Sequence, residues 1–322
     1  MTLQAFVLRR VANMLLLLFF VMTLNFLIFM AAPGDPMTVI VGSRLLTTQQ
    51  REDLIELYGL REPIWSRYIK YLRNMLTWQF GYSYYSLRPV SEEIVERLPN
   101  TILLMGVSLL ASIAVGVVIG VYAAAKRGKL FDVAAISGSL ATYALPTFWM
   151  GLVFLFFFGY QLRLFPLAGT MSRPPPSELF SRIGDLLWHL FLPALTLFLY
   201  SYGGWALLTR SAMLEVLSEE YISSARAKGV DERTILFKHA LRNALLPLVT
   251  NAAVSFGFLV SGAILTEQVF SWHGIGSYTW NAIQYNDYPV LQAVFYITAI
   301  SVILANFAAD IVYGLVDPRV KY

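Results

Sequence analysis

Side chains able to catalyse a reaction or bind a metal are sparse in this sequence. His189, His239 and His273 are widely spaced and form no metal-ligand pattern, and the chain has no cysteine, which excludes disulfides and thiol-ligated metals. Gly128-Lys129 lacks the rest of a phosphate-binding loop. We therefore predict that the chain is not an enzyme and carries no metal or cofactor of its own.

The most informative passage runs over residues 222–247, which is highly charged and separates two apolar stretches. Ser218 is a candidate cap for a first helix, Gly229 is expected to end it, and Asp231 can cap a second. The second helix places three apolar residues on one face: Ile235, Leu236 and Ala240. Two short helices joined at a glycine predict a rigid protrusion. The alternative is a solvated hairpin, but the apolar face needs something to bury it.

The composition of the whole chain indicates a membrane protein. Hydrophobic residues make up 57% of it and charged residues only 14%, whereas soluble domains usually carry about 25% charged residues. Crossing the bilayer takes about 20 apolar residues. Six stretches qualify, at residues 11–31, 101–125, 133–160, 189–209, 244–265 and 290–311. We expect the first to be an uncleaved helix; a signal peptide, the alternative, would be shorter and carry a cleavage site.

The positions of Lys and Arg predict the orientation. They concentrate before the first span, in the second connection, in loop 210–243 and in the C-terminal tail. Both termini are therefore expected in the cytoplasm, together with residues 222–247. The predicted organisation has four parts: residues 1–31 (tail and first span), 32–98 (long extracytoplasmic loop), 99–312 (five-helix core containing loop 210–243) and 313–322 (cytoplasmic tail).

Loop 32–98 is expected to contain structure of its own. A helix capped by Thr47 or Thr48 should end at Gly59, and a second should follow Pro63. The aromatic residues of the second helix favour a position along the membrane interface. Two interpretations stay open for this loop: it packs over the ends of the spans, or it forms a docking platform for an external partner.

The interiors of the spans carry almost no charge, which disfavours a proton- or ion-coupled carrier. Asn25, Asn251 and Asn306 are predicted to form hydrogen bonds between helices. Pro146 should kink the third span, either as a hinge or as a packing feature. The spacing of Gly116 and Gly120 predicts close helix packing.

The charged passage resembles the cytoplasmic loop of ABC-importer membrane subunits, whose motif runs Glu-Ala-Ala, three residues, Gly, nine residues, Ile-x-Leu-Pro. Ala225 and Gly229 match its second Ala and its Gly, whereas Ser223 and Ser224 stand at the Glu and first Ala positions, and Pro247 lies further along than the motif's proline. Ala-Arg-Ala-Lys-Gly, followed by His-Ala-Leu-Arg-Asn-Ala-Leu-Leu-Pro, is similar to the oligopeptide/dipeptide/nickel branch of this family.

Further stretches match the same branch from end to end. They are Pro33-Gly34-Asp35-Pro36, Tyr58-Gly59-Leu60, Arg67-Tyr68, Arg88-Pro89-Val90, Arg97-Leu98-Pro99, Leu192-Pro193-Ala194-Leu195-Thr196, Val269-Phe270-Ser271-Trp272, Asp287-Tyr288-Pro289 and Asp317-Pro318-Arg319-Val320.

The resemblance implies an all-α permease with six transmembrane helices and the type I ABC importer fold, located in the cell membrane. Its implied partners are a second homologous permease, two cytosolic ATPases that bind the ATP, and an extracytoplasmic solute-binding protein; no nucleic acid is implied. The residues expected to contact the ATPase are Ser223, Ser224, Ala225, Arg226, Ala227, Lys228, Gly229, Asp231, His239 and Arg242. Small peptides are the favoured substrate. Oligosaccharides or nickel are alternatives within the family, and a secondary carrier or channel is the alternative outside it.

Overall fold

The computed structural model describes residues 3–31 and 47–316, and this part of the chain is helical with no β-strand. The helices are α1 (Leu3–Ala31), α2 (Thr48–Tyr58), α3 (Ile64–Leu76), α4 (Val90–Ala125), α5 (Leu130–Ala144), α6 (Thr147–Gln161), α7 (Leu179–Leu217), α8 (Glu220–Ala227), α9 (Glu232–Ser261), α10 (Ile264–Val269), α11 (Ile275–Gln284) and α12 (Tyr288–Val316). Helix α6 ends in a π-helical turn, and α9 contains another at Ile235–Ala240.

The six predicted spans are present in this structure. Five helices (α1, α4, α7, α9 and α12) are each long and apolar enough to cross a membrane, and α5 with α6 forms a bent sixth candidate. Helices α4 and α7 are longer than expected, because hydropathy marks only the stretch inside the bilayer and misses the polar turns beyond it. The predicted boundary at 98/99 consequently lies inside α4, and the boundary at 312/313 lies inside α12.

The kink predicted at Pro146 is confirmed and is large. Helix α5 ends at Ala144, α6 begins at Thr147, and their axes differ by 93°. Proline cannot donate the backbone hydrogen bond that would continue the helix, and it disfavours a helical conformation at the residue before it. Leu145 is accordingly extended, with a ψ of 131°. Whether Pro146 moves as a hinge stays a prediction.

The glycine spacing on α4 has the predicted packing function. A Cβ atom on Gly116 would lie 2.5 Å from Cβ of Trp205, and one on Gly120 would lie 2.6 Å from the carbonyl oxygen of Ala206. Because these positions carry no side chain, the backbones of α4 and α7 approach each other closely. This contact forms the centre of the helix bundle.

At one end of the bundle, α3 packs across α1 and α12. The rings of Tyr68 and Tyr71 lie 5.2 and 5.4 Å from that of Phe26, and Asn25 donates hydrogen bonds to the hydroxyl of Tyr71 and to the carbonyl of Gln292. The prediction for Asn25 is therefore confirmed. The side of α3 that carries Tyr68 and Tyr71 thus covers the end of α1, whereas Trp65 on another side of the helix is exposed. A position of α3 along the membrane interface stays a prediction. That the loop docks an external partner stays a prediction.

Several sequence-based expectations fall outside the part of the chain that the structure describes. They concern the Pro33-to-Pro36 stretch, the Asp317-to-Val320 stretch and most of the tail at 313–322. Asn251 and Asn306 are described, and both side chains are exposed. Neither carboxamide forms a hydrogen bond with another described residue, so within residues 3–31 and 47–316 they do not join helices as Asn25 does.

Candidate functional site

Gly229 ends α8 as predicted. Its φ is +75°, in the left-handed region, and its amide donates to the carbonyl of Arg226 at 2.9 Å. The amide of Val230 donates to the carbonyl of Ala225 at 3.2 Å, which completes a Schellman-type turn. Val230 and Ala225 both lie against the same apolar cluster, so the turn is held by hydrogen bonds and by packing.

The start of α9 is fixed on the other side of the same turn. The carboxylate of Asp231 accepts a hydrogen bond from the backbone amide of Thr234 at 3.1 Å, which confirms it as the helix cap. Arg226 and Glu232 form a two-pronged ion pair across the turn, with nitrogen–oxygen distances of 2.8 and 3.2 Å. The hydrogen bonds and charge of Glu232 raise the pKa of Arg226, which therefore stays charged. Residues 220–240, called the helical pair below, thus have a defined mutual geometry.

The prediction that Ser218 caps α8 is wrong. Its backbone amide still bonds to Glu215, and its hydroxyl donates to the same carbonyl at 2.6 Å. Ser218 therefore belongs to the last turn of α7, and Glu219 precedes α8 without a side-chain cap. The hydroxyl of a serine after an apolar stretch can hydrogen-bond to the helix before it or cap the helix after it, and the conformation of the preceding turn decides between the two.

The apolar face of the helical pair is buried inside this chain. Ile222, Ile235 and Ala240 have no exposed surface, and they pack with Val121 of α4 and Met213 of α7. The sequence predicts that this face needs something to bury it, but it does not show that α4 and α7 extend far enough to cover it. The packing makes the helical pair one body with the two central helices.

The opposite face of the helical pair remains available. Ala225 and His239 are half-buried, and the other residues predicted to contact the ATPase are exposed: Ser223, Ser224, Arg226, Ala227, Lys228, Gly229, Asp231 and Arg242. This surface is polar, mostly small in side-chain volume, and carries more basic than acidic groups. It suits a partner groove with acidic or hydrogen-bonding groups.

A buried ion pair lies at the same end of the bundle and was missed by the sequence analysis. Nε and Nη2 of Arg210 lie 2.5 and 2.8 Å from the two carboxylate oxygens of Asp132, which also accepts a hydrogen bond from the amide of Gly128. Asp132 is almost fully buried. The pair therefore ties the connection before α5 to α7, close to the helical pair. Asp132 is the single acidic residue at the start of an apolar helix, and this position could have indicated a buried partner.

At the opposite end, Glu267 of α10 organises a second unforeseen cluster. Its carboxylate is buried and accepts hydrogen bonds from the hydroxyl of Thr101 at 3.0 Å and from the amide of Ser277 at 2.9 Å. Thr101 also accepts from the amide of Ile275 at 2.7 Å, so two side chains cap the first turn of α11. Burial raises the pKa of Glu267. The hairpin of α10 and α11 is thereby fixed to α4 at Thr101, about three turns into that helix.

These features define a class of protein: a polytopic helical bundle whose two central helices carry a rigid, polar helical pair at one end. Residues 116–322 match the family described as binding-protein-dependent transport system inner membrane component, and residues 3–105 match the N-terminal family of such membrane components. The chain belongs to this family, which consists of multi-pass membrane transport components and not of enzymes.

Curated relatives extend the match over the full length. The oligopeptide transport system permease protein AppB of Bacillus subtilis (strain 168) is 39% identical over 99% of both chains. The di/tripeptide permease DppB of Pseudomonas aeruginosa (strain UCBPP-PA14) is 37% identical, also over 99% of both, and the dipeptide permease DppB of Escherichia coli (strain K12) is 35% identical over 98% of both.

A solved structure shows the same fold. A chain of the MetNI methionine ABC transporter in an inward-facing conformation superposes with a TM-score of 0.54 at 19% sequence identity. The match covers 71% of this chain and 99% of that one. The predicted ABC importer permease fold is therefore confirmed.

Proposed function

We propose that this chain is the permease subunit of an ATP-driven importer that takes small peptides across the cell membrane by alternating access. The observation that carries the proposal is the helical pair, whose buried face packs on α4 and α7 while its polar face stays exposed. A force on the exposed face reaches the central spans directly. The printed names of the relatives above support peptides as the substrate.

The proposed partners are a second, homologous permease, two cytosolic ATPases that bind and hydrolyse ATP, and an extracytoplasmic solute-binding protein. The ATPases would contact the exposed face of the helical pair. Docking of the binding protein is supported by an open cleft of about 500 Å³ at the opposite end of the bundle. Every residue that lines it has a polar side chain: Glu96, Arg97, Asn100, Gln268, Ser271, His273, Ser277 and Asn281.

The proposed orientation places both termini and the helical pair in the cytoplasm, on the strength of the Lys and Arg distribution.

Ser224→Cys is expected to react with a membrane-impermeant thiol reagent only in opened cells. Ser177→Cys, in the exposed segment before α7, should react in intact cells. The chain has no native cysteine to interfere. The reverse labelling pattern would contradict this orientation. Position 43, which also lies in a predicted outer loop, is outside the described residues.

The proposed function is tested by reconstituting the complex in liposomes with its binding protein. Peptide uptake is expected to require both ATP and the binding protein, while the purified chain alone should show only background ATP hydrolysis because it has no phosphate loop. Uptake of an oligosaccharide and of Ni²⁺ is measured in parallel under the same conditions. Uptake of one of them instead of peptide would replace the substrate assignment. Uptake that persists without ATP would indicate a secondary carrier or channel.

A further inference from the structure

One row of side chains on α9 passes from a buried to an exposed environment. Ala244, Leu248, Asn251 and Ser255 are three or four residues apart and therefore lie on one side of the helix. Ala244 and Leu248 are 1% and 3% exposed, packed in the cluster that also buries the helical pair. Asn251 is exposed and Ser255 is only half-buried. The row leaves the packed interior of the chain at Asn251.

The packing of the far end of α9 explains why. Gly257 lies against α12 so closely that an added Cβ would be 2.8 Å from Cα of Val302 and 3.0 Å from Cβ of Ala305. Helix α9 is thus held by α4 and α7 at one end and by α12 and α4 at the other. Between these contacts the row is not covered by the described residues of this chain.

The chemistry of the uncovered row does not suit lipid. Asn251 lies midway between Leu241 and Ser261, inside a candidate span, and its carboxamide forms no hydrogen bond with the part of the chain that the structure describes. The hydroxyl of Ser255 donates to the carbonyl of Asn251 at 2.8 Å and is satisfied. An unsatisfied polar group in hydrocarbon costs several kcal/mol. Asn251 therefore must meet water, a polar ligand or another protein chain.

We propose that this row, centred on Asn251, lines the substrate path, and that the Asn251 carboxamide hydrogen-bonds the main chain of the passing peptide. This assignment rests on the proposed function. A carboxamide both donates and accepts, as does a peptide group, so it can bind peptides of different side-chain sequence. It also carries no charge that would trap either end of a zwitterion. Exposed Pro247 and Phe258 flank it and offer apolar surface to peptide side chains.

Cysteine accessibility in the assembled complex tests the location. Asn251→Cys is expected to react with a small, charged thiol reagent, and bound peptide should slow the reaction at least fivefold. Leu16→Cys, on the exposed apolar side of α1, is the matched control for a position facing lipid and should not react. A cysteine at 251 that is inaccessible in every nucleotide state would overturn the proposal and indicate an interface with the second permease. Reactivity that peptide does not slow would overturn the peptide contact.

Substitution tests the hydrogen bond. Asn251→Leu, similar in size but apolar, should lower peptide uptake at least tenfold while the yield of assembled complex stays near the unmodified level. Asn251→Gln keeps the carboxamide and should retain most uptake. Equal uptake by the Leu and Gln variants would contradict a role in contacting peptide. Absent peptide uptake in the unmodified complex would instead refute the proposed function, and the labelling of position 251 would still decide whether the row is open to water.

Discussion

Gly120→Leu is expected to lower the amount of folded permease in the membrane about tenfold or more. A Cβ at this position would lie 2.6 Å from both the carbonyl oxygen of Ala206 and Cβ of Thr209, so the obstacle includes backbone of α7 that cannot rotate away. Overpacking of a well-packed interior typically costs about 1–3 kcal/mol, and about 1.4 kcal/mol is a tenfold change in an equilibrium. A leucine, which is larger than the added Cβ, should force α4 and α7 apart.

The same helix provides the matched control. Gly106 also lies on α4, and nothing in the described chain is within 4 Å of a Cβ added there. Gly106→Leu should therefore leave the level of assembled complex unchanged, measured by detergent extraction and size-exclusion chromatography. Equal levels of the two variants would show that α4 and α7 do not approach each other as closely as described.

Gly229→Val is expected to abolish peptide uptake without reducing the amount of complex. The left-handed conformation at Gly229 costs a residue with a side chain roughly 1–2 kcal/mol, and it is a genuine outlier for a β-branched one. No atom lies within 4 Å of a Cβ added there, so the effect comes from the backbone and not from a clash. The turn should open and tilt α8 relative to α9, which would misplace the proposed ATPase-contacting face while the spans stay packed.

Two variants serve as controls for the backbone argument. Gly229→Asn adds a side chain that tolerates the left-handed region and should retain most uptake, and Gly229→Ala should be intermediate. Complex yield, basal ATP hydrolysis and uptake are measured together in the reconstituted complex. The expected pattern for Val is normal yield with loss of ligand-stimulated hydrolysis and of uptake. Uptake at the unmodified rate would show that the helical pair does not transmit force from the ATPases as proposed.

The sequence alone determined the features that depend on neighbouring residues. Composition identified the spans, because about 20 apolar residues in succession have few stable environments other than a bilayer. Gly229 and Asp231 marked the turn of the helical pair, and Pro146 marked the break of the third span, because each of these residue types restricts its own backbone. The resemblance, carried by stretches along the whole chain, identified the family before any tertiary contact was known.

The tertiary structure decided what depends on residues distant in the chain. The sequence does not show that Arg210 pairs with Asp132, or that Glu267 and Thr101 cap α11, because neither partner by itself indicates the other. The same holds for the apolar face of the helical pair, which the sequence marked as needing burial without showing that α4 and α7 bury it. It also holds for Asn251. The sequence around an asparagine at mid-span does not show whether its carboxamide joins two helices, as that of Asn25 does, or faces an open space. Only the tertiary packing separates the two cases, because Gly257 turns a different side of α9 toward α12 and the described residues leave Asn251 exposed.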